Sequence, residues 1–383
     1  MTIDAFFVPN VSLMGEGCLA SLPERVKMLK GKKPLLVSDK GMTDLGYTAR
    51  VTELLKSEGI DCAVYDGTVP NPTDHNVEEG TEIYSKENCD LLISLGGGSS
   101  HDCCKGIGIL VTNGGKIQDY EGLDQLKAAL PPFIAINTTA GTASEMTRFT
   151  IITNSSNHVK MAIVDWRVTP DVAINDPELM VDMPPSLTAA TGMDALTHAV
   201  EAYVSTDATP ITDACALQAI RLIGQYLRKA VARGDDMEAR DKMAYAEYLA
   251  GMAFNNAGLG YVHAMSHQLG GFYNLPHGVC NALLLPHVCR VNLMARTERF
   301  ADIADALGQV TDGLSERDAA YLAIEAIEAL SKDVGIPQTL SELGVKDEDI
   351  PTMVGNAQKD VCCLTNPRKL KDDEVAAIYK AAL

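Results

Sequence analysis

The chain has 383 residues, of which 46% are hydrophobic and 22% are charged, an ordinary composition for a globular protein. This length predicts two domains, or at most three. The net charge of −19 argues against nucleic acid or an anionic membrane as a partner, because both require a basic surface. No apolar run approaches the roughly 18–20 residues of a membrane helix. The first residues lack the basic and apolar regions of a signal peptide, so we expect none.

The ten cysteines occur singly or as neighbours, without a CxxC motif or a disulfide-like framework. This pattern predicts reduced cysteines in a cytoplasmic enzyme. It also leaves the histidines as the candidate metal ligands.

The pattern of strands and helices changes near residue 182. Short apolar runs predict strands at 34–39, 61–66, 90–96, 132–137, 149–153 and 159–165, the last two of which could form a hairpin. Amphipathic stretches predict helices at 44–58 and 74–88. Helical periodicity then predicts helices at 192–205, 211–232, 238–256, 318–333 and 371–382. We therefore expect an α/β domain with a mainly parallel, Rossmann-like sheet over residues 1–181, and an all-α domain over residues 182–383.

A glycine-rich turn, Gly96-Gly97-Gly98-Ser99, lies between a predicted strand and a helix-like stretch. Its backbone N–H groups and the helix N-terminus could bind a phosphate, although such a turn can equally be an ordinary strand-to-helix connection. His101 stands where the GxGxxG fingerprint requires glycine, which weakens a plain Rossmann assignment. His101 could contact a pyrophosphate or cap the helix.

Two further features predict a dinucleotide. The segment Thr138-Thr139-Ala-Gly-Thr142 follows a strand and offers small hydroxyl side chains. Asp39 ends the first of the predicted strands, where its carboxylate could accept hydrogen bonds from ribose hydroxyls and would repel a 2′-phosphate. This favours NAD over NADP, although Asp39 could instead cap a helix or turn. Its position ahead of the glycine turn also reverses the order usual in Rossmann proteins.

Four of the eight histidines lie in two segments, 191–198 and 261–277. Asp194 and His198 are four residues apart, as are His263 and His267, so each pair shares one face of a helix. We predict that Asp194, His198, His263 and His277 bind Fe(II) or Zn(II), between which the sequence does not decide. His267 could exchange protons with a substrate, position a nicotinamide, or be a structural histidine. Surface or packing roles are expected for His75, His158 and His287.

Several long motifs support a family resemblance that runs essentially end to end. They are Ile93–Ser99, Asn137–Phe149, Ala190–Ala199, Gly260–Cys280 and Thr365–Arg368. On these residues the chain resembles the iron-containing (group III) alcohol dehydrogenases of bacteria, especially their fermentative branch. The chain departs from the common family pattern at Ser100, Ser266 and Cys104, where relatives often have proline, alanine and alanine.

The resemblance implies a dehydroquinate synthase-like architecture, with a nucleotide-binding domain, a helical domain and an active site in the cleft. It implies the same four metal ligands, a catalytic or positioning role for His267, and a homodimer or larger homo-oligomer. The NAD contacts that it implies are Asp39, Asn71, Gly97, Gly98, Ser99, Asp102, Thr138, Thr139, Thr147, Phe149 and Lys160.

The predicted reaction is reversible hydride transfer between NAD and a small primary alcohol or diol, whose oxygen would bind the metal. Phe149, Phe254 and Cys362 are expected to form an apolar substrate wall. Two alternatives remain. A metal-dependent lyase or synthase of the dehydroquinate synthase type would need basic side chains for a phosphorylated substrate, and residues 254–280 contain no Lys or Arg. The other alternative is a structural, filament-forming role.

Overall fold

A computed structural model describes residues 5–156 and 159–383. The chain divides into two compact units. The first unit comprises the residues up to Thr139 together with Ala143–Met180, and the second comprises Ala140–Thr142 together with Val181–Leu383. His158 lies outside the described residues, so its expected surface or packing role stays a prediction.

The first unit is built on a six-stranded parallel sheet and a smaller three-stranded sheet. The strands are β1 (Val11–Met14), β2 (Pro34–Asp39), β3 (Ala63–Thr68), β4 (Leu91–Gly96), β5 (Gly122–Leu123), β6 (Phe133–Asn137), β7 (Phe149–Asn154), β8 (Val159–Val164) and β9 (Val172–Asn175). The large sheet has the order β1-β9-β6-β4-β2-β3. In the small sheet β7 and β8 form an antiparallel pair, and β5 lies parallel to β8. The predicted parallel sheet and hairpin are therefore confirmed.

Helices cover both faces of the large sheet. In the first unit they are α1 (Leu22–Met28), α2 (Lys40–Asp44), α3 (Tyr47–Ser57), α4 (Asp74–Lys86) and α5 (Gly98–Asn113). One buried apolar cluster includes Val77 of α4 and Ile107 of α5, and a second includes Val26 of α1 and Val51 of α3. Because strands β4 and β6 are buried by both clusters, every residue in them is buried. This explains why they read as continuous apolar runs.

The second unit is helical throughout its described residues, as the sequence predicts. Its helices are α6 (Pro185–Val204), α7 (Pro210–Ala232), α8 (Met237–Ala257), α9 (Tyr261–Tyr273), α10 (His277–Asn292), α11 (Thr297–Ala306), α12 (Glu316–Asp333), α13 (Ile350–Ala357) and α14 (Asp372–Ala382). Helix α6 packs against α7, α8 and α10, so nearly all of its residues are buried. One described stretch, His277–Ala295, is long and apolar enough to cross a membrane, but most of it is buried inside the unit, as in a core helix.

Candidate metal centre and cofactor-binding edge

Three helices of the second unit bring the predicted metal ligands together. Asp194 and His198 lie one turn apart on the buried helix α6, and His263 and His267 lie one turn apart on α9. His277 is the first residue of α10. Both pairs that are four residues apart in the sequence therefore lie on helices.

Three of the four predicted ligands converge closely. Ligand-capable atoms of Asp194, His263 and His277 all lie within 4.8 Å of one another. Asn281, one turn after His277 on α10, places its amide nitrogen 2.6 Å from Asp194 Oδ1. The same nitrogen lies 3.1 Å from Nε2 of His263 and 3.1 Å from Nε2 of His277. These three acceptor atoms are therefore aimed at one small volume.

The fourth predicted ligand, His198, lies beside this group. It is not one of the three residues whose ligand atoms all lie within 4.8 Å of one another. Its ring stacks on that of His263, with centroids 4.7 Å apart and an interplanar angle of 20°. On its other side it stacks on Phe254 at 4.2 Å. These contacts fix the plane of the imidazole at the edge of the cluster.

The protonation states of these side chains suit a cation site. Burial raises the pKa of Asp194 to about 7, although the Asn281 amide lowers it. Burial also lowers the pKa values of His198 and His263 well below their usual value, so both rings are neutral. Neutral imidazole is the form that binds a metal, and a nearby cation would favour the ionised carboxylate.

The chemistry of this donor set fits a divalent transition-metal ion. One carboxylate and three imidazoles suit Fe(II) or Zn(II). The group is buried, except for the partly exposed His277. The partly exposed side leaves room for a substrate oxygen to approach, as a catalytic rather than structural site requires.

Glu201, which the sequence analysis did not single out, also belongs to this site. Its Oε2 lies 2.6 Å from His263 Nδ1, and its Oε1 accepts a hydrogen bond from the Val262 N–H at 2.7 Å. Burial raises the pKa of Glu201 to about 8, although hydrogen bonds from backbone N–H groups lower it. The available signal was an acidic residue three positions after His198, on the same buried helix.

His267 belongs to a second, neighbouring cluster. Its Nδ1 lies 2.8 Å from Asp360 Oδ2, and Asp360 Oδ1 accepts a hydrogen bond from the N–H of Cys362. Burial raises the pKa of Asp360, but the charge of His267 and the hydrogen bonds outweigh this and hold it below its usual range. The ring of His267 stacks on that of His277, with centroids 5.4 Å apart. The carboxylate thus fixes the orientation of this imidazole.

In the first unit, several predicted cofactor residues lie at the carboxyl ends of three neighbouring strands. Asp39 is the last residue of β2, Gly97 and Gly98 follow β4, and Thr138 and Thr139 follow β6. The three strands are neighbours in the sheet, in the order β6-β4-β2. Ligands of parallel α/β sheets bind at this edge.

The glycine turn leads into the N-terminus of α5. Gly97 is the residue before the helix, while Gly98 and Ser99 form its first turn. A Cβ atom at Gly97 would lie 3.0 Å from the Thr139 side chain, so the turn after β4 passes close to the segment after β6. The unpaired backbone N–H groups of a 16-residue helix face this edge, an arrangement that fits a pyrophosphate.

Asp39 does cap a helix, the alternative that the sequence left open. Its Oδ1 accepts a hydrogen bond from the Met42 N–H, and its Oδ2 accepts one from Ser100 Oγ at 3.2 Å. The capping role does not exclude a ribose contact. By contrast, both roles considered for His101 are wrong, because its ring is fully buried and its Nδ1 lies 2.7 Å from Ser94 Oγ in the core.

The remaining predicted cofactor residues form a second group around β7 and β8. Lys160 on β8 donates to Asn71 Oδ1 at 2.8 Å. Asp102 on α5 accepts hydrogen bonds from Ser144 Oγ and from the N–H of Ile151 on β7. Thr147 lies in the connection between β6 and β7, and Phe149 is the first residue of β7.

Lys105, also missed by the sequence analysis, holds this connection in place. Its side chain is fully buried, and its ammonium group donates to the carbonyls of Thr147 and Phe149 at 3.0 and 2.6 Å and to Ser144 Oγ at 3.1 Å. Burial lowers the pKa of Lys105 to about 8, although Asp102 opposes this. The cofactor segment is thus held by a buried cation.

The three residues of the predicted substrate wall are divided between the units. Phe254 and Cys362 belong to the second unit, and Phe149 belongs to the first. Within the second unit, Phe254 contacts His198 and Cys362 adjoins the partner of His267. The segment Thr138–Thr142 is likewise divided, after Thr139.

Two family models match the chain. One, described as iron-containing alcohol dehydrogenase, covers residues 9–177. The other, described as the C-terminal part of the Fe-containing alcohol dehydrogenase family, covers residues 188–383. Together they account for nearly the whole sequence, and they give no support to the lyase alternative.

Individual relatives agree with the family models. The chain is 56% identical to 1,3-propanediol dehydrogenase of Citrobacter freundii, over 98% of each chain. It is 50% identical to NAD-dependent methanol dehydrogenase of Bacillus methanolicus, over 99% of each. A crystal structure of a 1,3-propanediol oxidoreductase superposes with a TM-score of 0.98 at 54% identity, over the full length of both chains. The protein therefore belongs to the iron-containing alcohol dehydrogenase family.

Proposed function

We propose that this protein is a metal-dependent, NAD-linked alcohol dehydrogenase that interconverts short primary alcohols or diols and their aldehydes by direct hydride transfer. The observation that carries the proposal is the convergence of Asp194, His263 and His277, with His198 beside them, in a chain of this family. The proposed metal ligands are these four residues. Fe(II) is the proposed ion because of the family, although the donor set suits Zn(II) as well.

The bound cation would act as a Lewis acid that polarises the carbon–oxygen bond of the substrate. The chain itself supplies the orientation and the proton transfer. Because Asp360 holds His267 through Nδ1, Nε2 is the nitrogen available to exchange a proton with the substrate. His267 is therefore the proposed catalytic residue, and Asp360 positions it.

The proposed cofactor is NAD. The edge formed by Asp39, Gly97–Ser99, Thr138 and Thr139 would bind the adenosine and pyrophosphate parts, because it combines a carboxylate with a helix N-terminus. The group of Asn71, Asp102, Thr147, Phe149 and Lys160 would bind the rest of the cofactor. In this proposal residues 1–181 form the nucleotide-binding domain and residues 182–383 the metal-binding, catalytic domain.

The proposed substrates are small because the relatives are named for propanediol and methanol. Phe149, Phe254 and Cys362 would provide the apolar wall, and a compact aliphatic alcohol suits such a wall better than a charged substrate. We also propose a role in fermentation, a cytoplasmic location and a homodimer or larger homo-oligomer. The alternative filament-forming role would be detected as an increase in particle size when NAD is added.

The direct test replaces His263 by alanine. We expect His263→Ala to lose both the bound metal and alcohol-dependent NAD reduction, because the remaining donors no longer surround the ion. The matched control is His75→Ala, which removes a histidine that is exposed on α4 in the first unit. A His263→Ala protein that is metal-free and fully active would refute the proposed ligand set.

A further inference from the structure

We propose that Glu201 and Asn281, neither of which is a proposed ligand, set the geometry of the metal centre before the ion arrives. Both are positioning residues. The inference rests on the proposed metal-binding function, and it concerns how tightly the ion is held.

Glu201 controls the orientation of His263. Its side chain is 4% exposed and that of His263 is 2% exposed, so water does not compete for their 2.6 Å contact. Because its other oxygen accepts the Val262 N–H, the carboxylate is tied to the backbone at the start of α9. With Glu201 as the hydrogen-bond acceptor, His263 carries its proton on Nδ1, and the lone pair of Nε2 is turned toward Asp194 and His277.

Asn281 acts on the opposite nitrogen of the same ring. Its fully buried amide nitrogen contacts the Nε2 of His263, and also Nε2 of His277 and Oδ1 of Asp194. Three acceptors directed at one point repel each other, and the two hydrogens of the Asn281 amide, shared among them, offset this repulsion. Asn281 therefore holds together atoms from α6, α9 and α10 in the arrangement that a cation requires.

The two residues meet at His263, with Glu201 at Nδ1 and Asn281 at Nε2. Loss of either contact frees the imidazole to rotate or to change tautomer. In metal sites such supporting contacts are typically worth about 10–100-fold in metal affinity. Because both act on one ring, their effects on affinity should not be additive.

The test compares metal dissociation constants of chelator-stripped protein, measured with Zn(II) by competition with a chelator. Glu201→Gln keeps the volume of the side chain but presents an N–H group to Nδ1, so the proton is pushed to Nε2. Asn281→Ala removes the shared donor. We expect each variant to bind Zn(II) about 10–100-fold more weakly, and the double variant to lose less than the product of the two.

The matched control is Asn292→Ala, which removes a buried asparagine from the same helix. Asn292 bonds to Asn366 at 2.9 Å and contacts none of the ligands. This control should lower the free energy of unfolding but leave the Zn(II) dissociation constant unchanged. Because Glu201→Gln conserves volume, its folding should resemble that of the wild type, as urea unfolding of each stripped protein would verify.

Two outcomes count against the inference in different ways. If the wild type binds Zn(II) tightly and both variants bind it equally well, only the positioning role is refuted. If the wild type itself binds neither Zn(II) nor Fe(II), the proposed metal-dependent function fails, and this inference fails with it.

Discussion

The buried polar side chains at the proposed metal centre differ in how far their contacts could be predicted from the sequence. Asp194 and His198 could be predicted because their relation is local, four residues along a helix. The contacts of Glu201 and Asn281 could not be predicted, because Glu201 meets His263 across 62 positions and Asn281 meets Asp194 across 87. Such partners are fixed by helix packing, which the periodicity of one segment does not contain.

Asp39 should determine the choice between NAD and NADP. Its carboxylate would repel a 2′-phosphate, and it also caps α2 through the Met42 N–H. Asp39→Ser removes the charge but keeps an oxygen that can cap. We expect the preference for NAD over NADP, measured as the ratio of kcat/KM values, to fall by about tenfold or more. An unchanged ratio would exclude a role for this carboxylate in cofactor choice.

Lys105 gives a prediction about stability and pH. Burial lowers the pKa of Lys105 to about 8, whereas an unfolded lysine keeps its proton up to about 10.5. Between these values the unfolded chain binds more protons, so stability rises with pH. The free energy of unfolding of the wild type, relative to Lys105→Met, should therefore increase by about 2 kcal/mol from pH 8 to about pH 9.5. A constant difference, measured by urea unfolding, would contradict this assignment.

At the scale of whole elements, the close contact between helices α6 and α10 requires a glycine. A Cβ atom at Gly278, next to His277, would lie 2.3 Å from the backbone oxygen of Ala190. Only glycine lets the start of α10 approach α6 so closely. This approach brings His277 to Asp194, so the metal site depends on it.

Gly278→Ala should consequently push the two helices apart. We expect it to lower the free energy of unfolding by about 2–4 kcal/mol and to weaken metal binding. Gly271→Ala is the control, since nothing lies within 4 Å of a Cβ atom at that exposed position in α9. It should be neutral or stabilising by up to about 1 kcal/mol. Equal effects of the two substitutions on thermal unfolding would contradict the packing argument.

Elements with a long or continuous hydrophobic pattern were predicted more accurately than short elements. Fully buried strands such as β4 and long helices such as α7 lie close to their predicted bounds. The predicted helix at 44–58 corresponds to α3, which begins only at Tyr47 because Gly46, with φ 82°, separates it from α2. Strands β1 and β9 have only four residues each, too few for a periodic signal, and they are defined by pairing with each other across the chain.

For the molecule as a whole, two compact units carry different parts of the chemistry. The first contains the candidate cofactor-binding edge, and the second contains the candidate metal centre. In the sequence, the pattern changes near residue 182 from alternating strands and helices to helices alone.

In the proposed function, a metal ion in the second unit supports NAD-dependent oxidation of a short alcohol. The decisive experiment uses protein purified without air, stripped with a chelator and reloaded with Fe(II) or Zn(II). Each sample would be assayed for NAD reduction with ethanol, 1-propanol, 1,2-propanediol and 1,3-propanediol. We predict that the stripped protein is inactive and that Fe(II) restores activity, with one alcohol clearly preferred. Full activity of the stripped protein, or no NAD reduction with either metal and any of these alcohols, would contradict the proposed metal-dependent function.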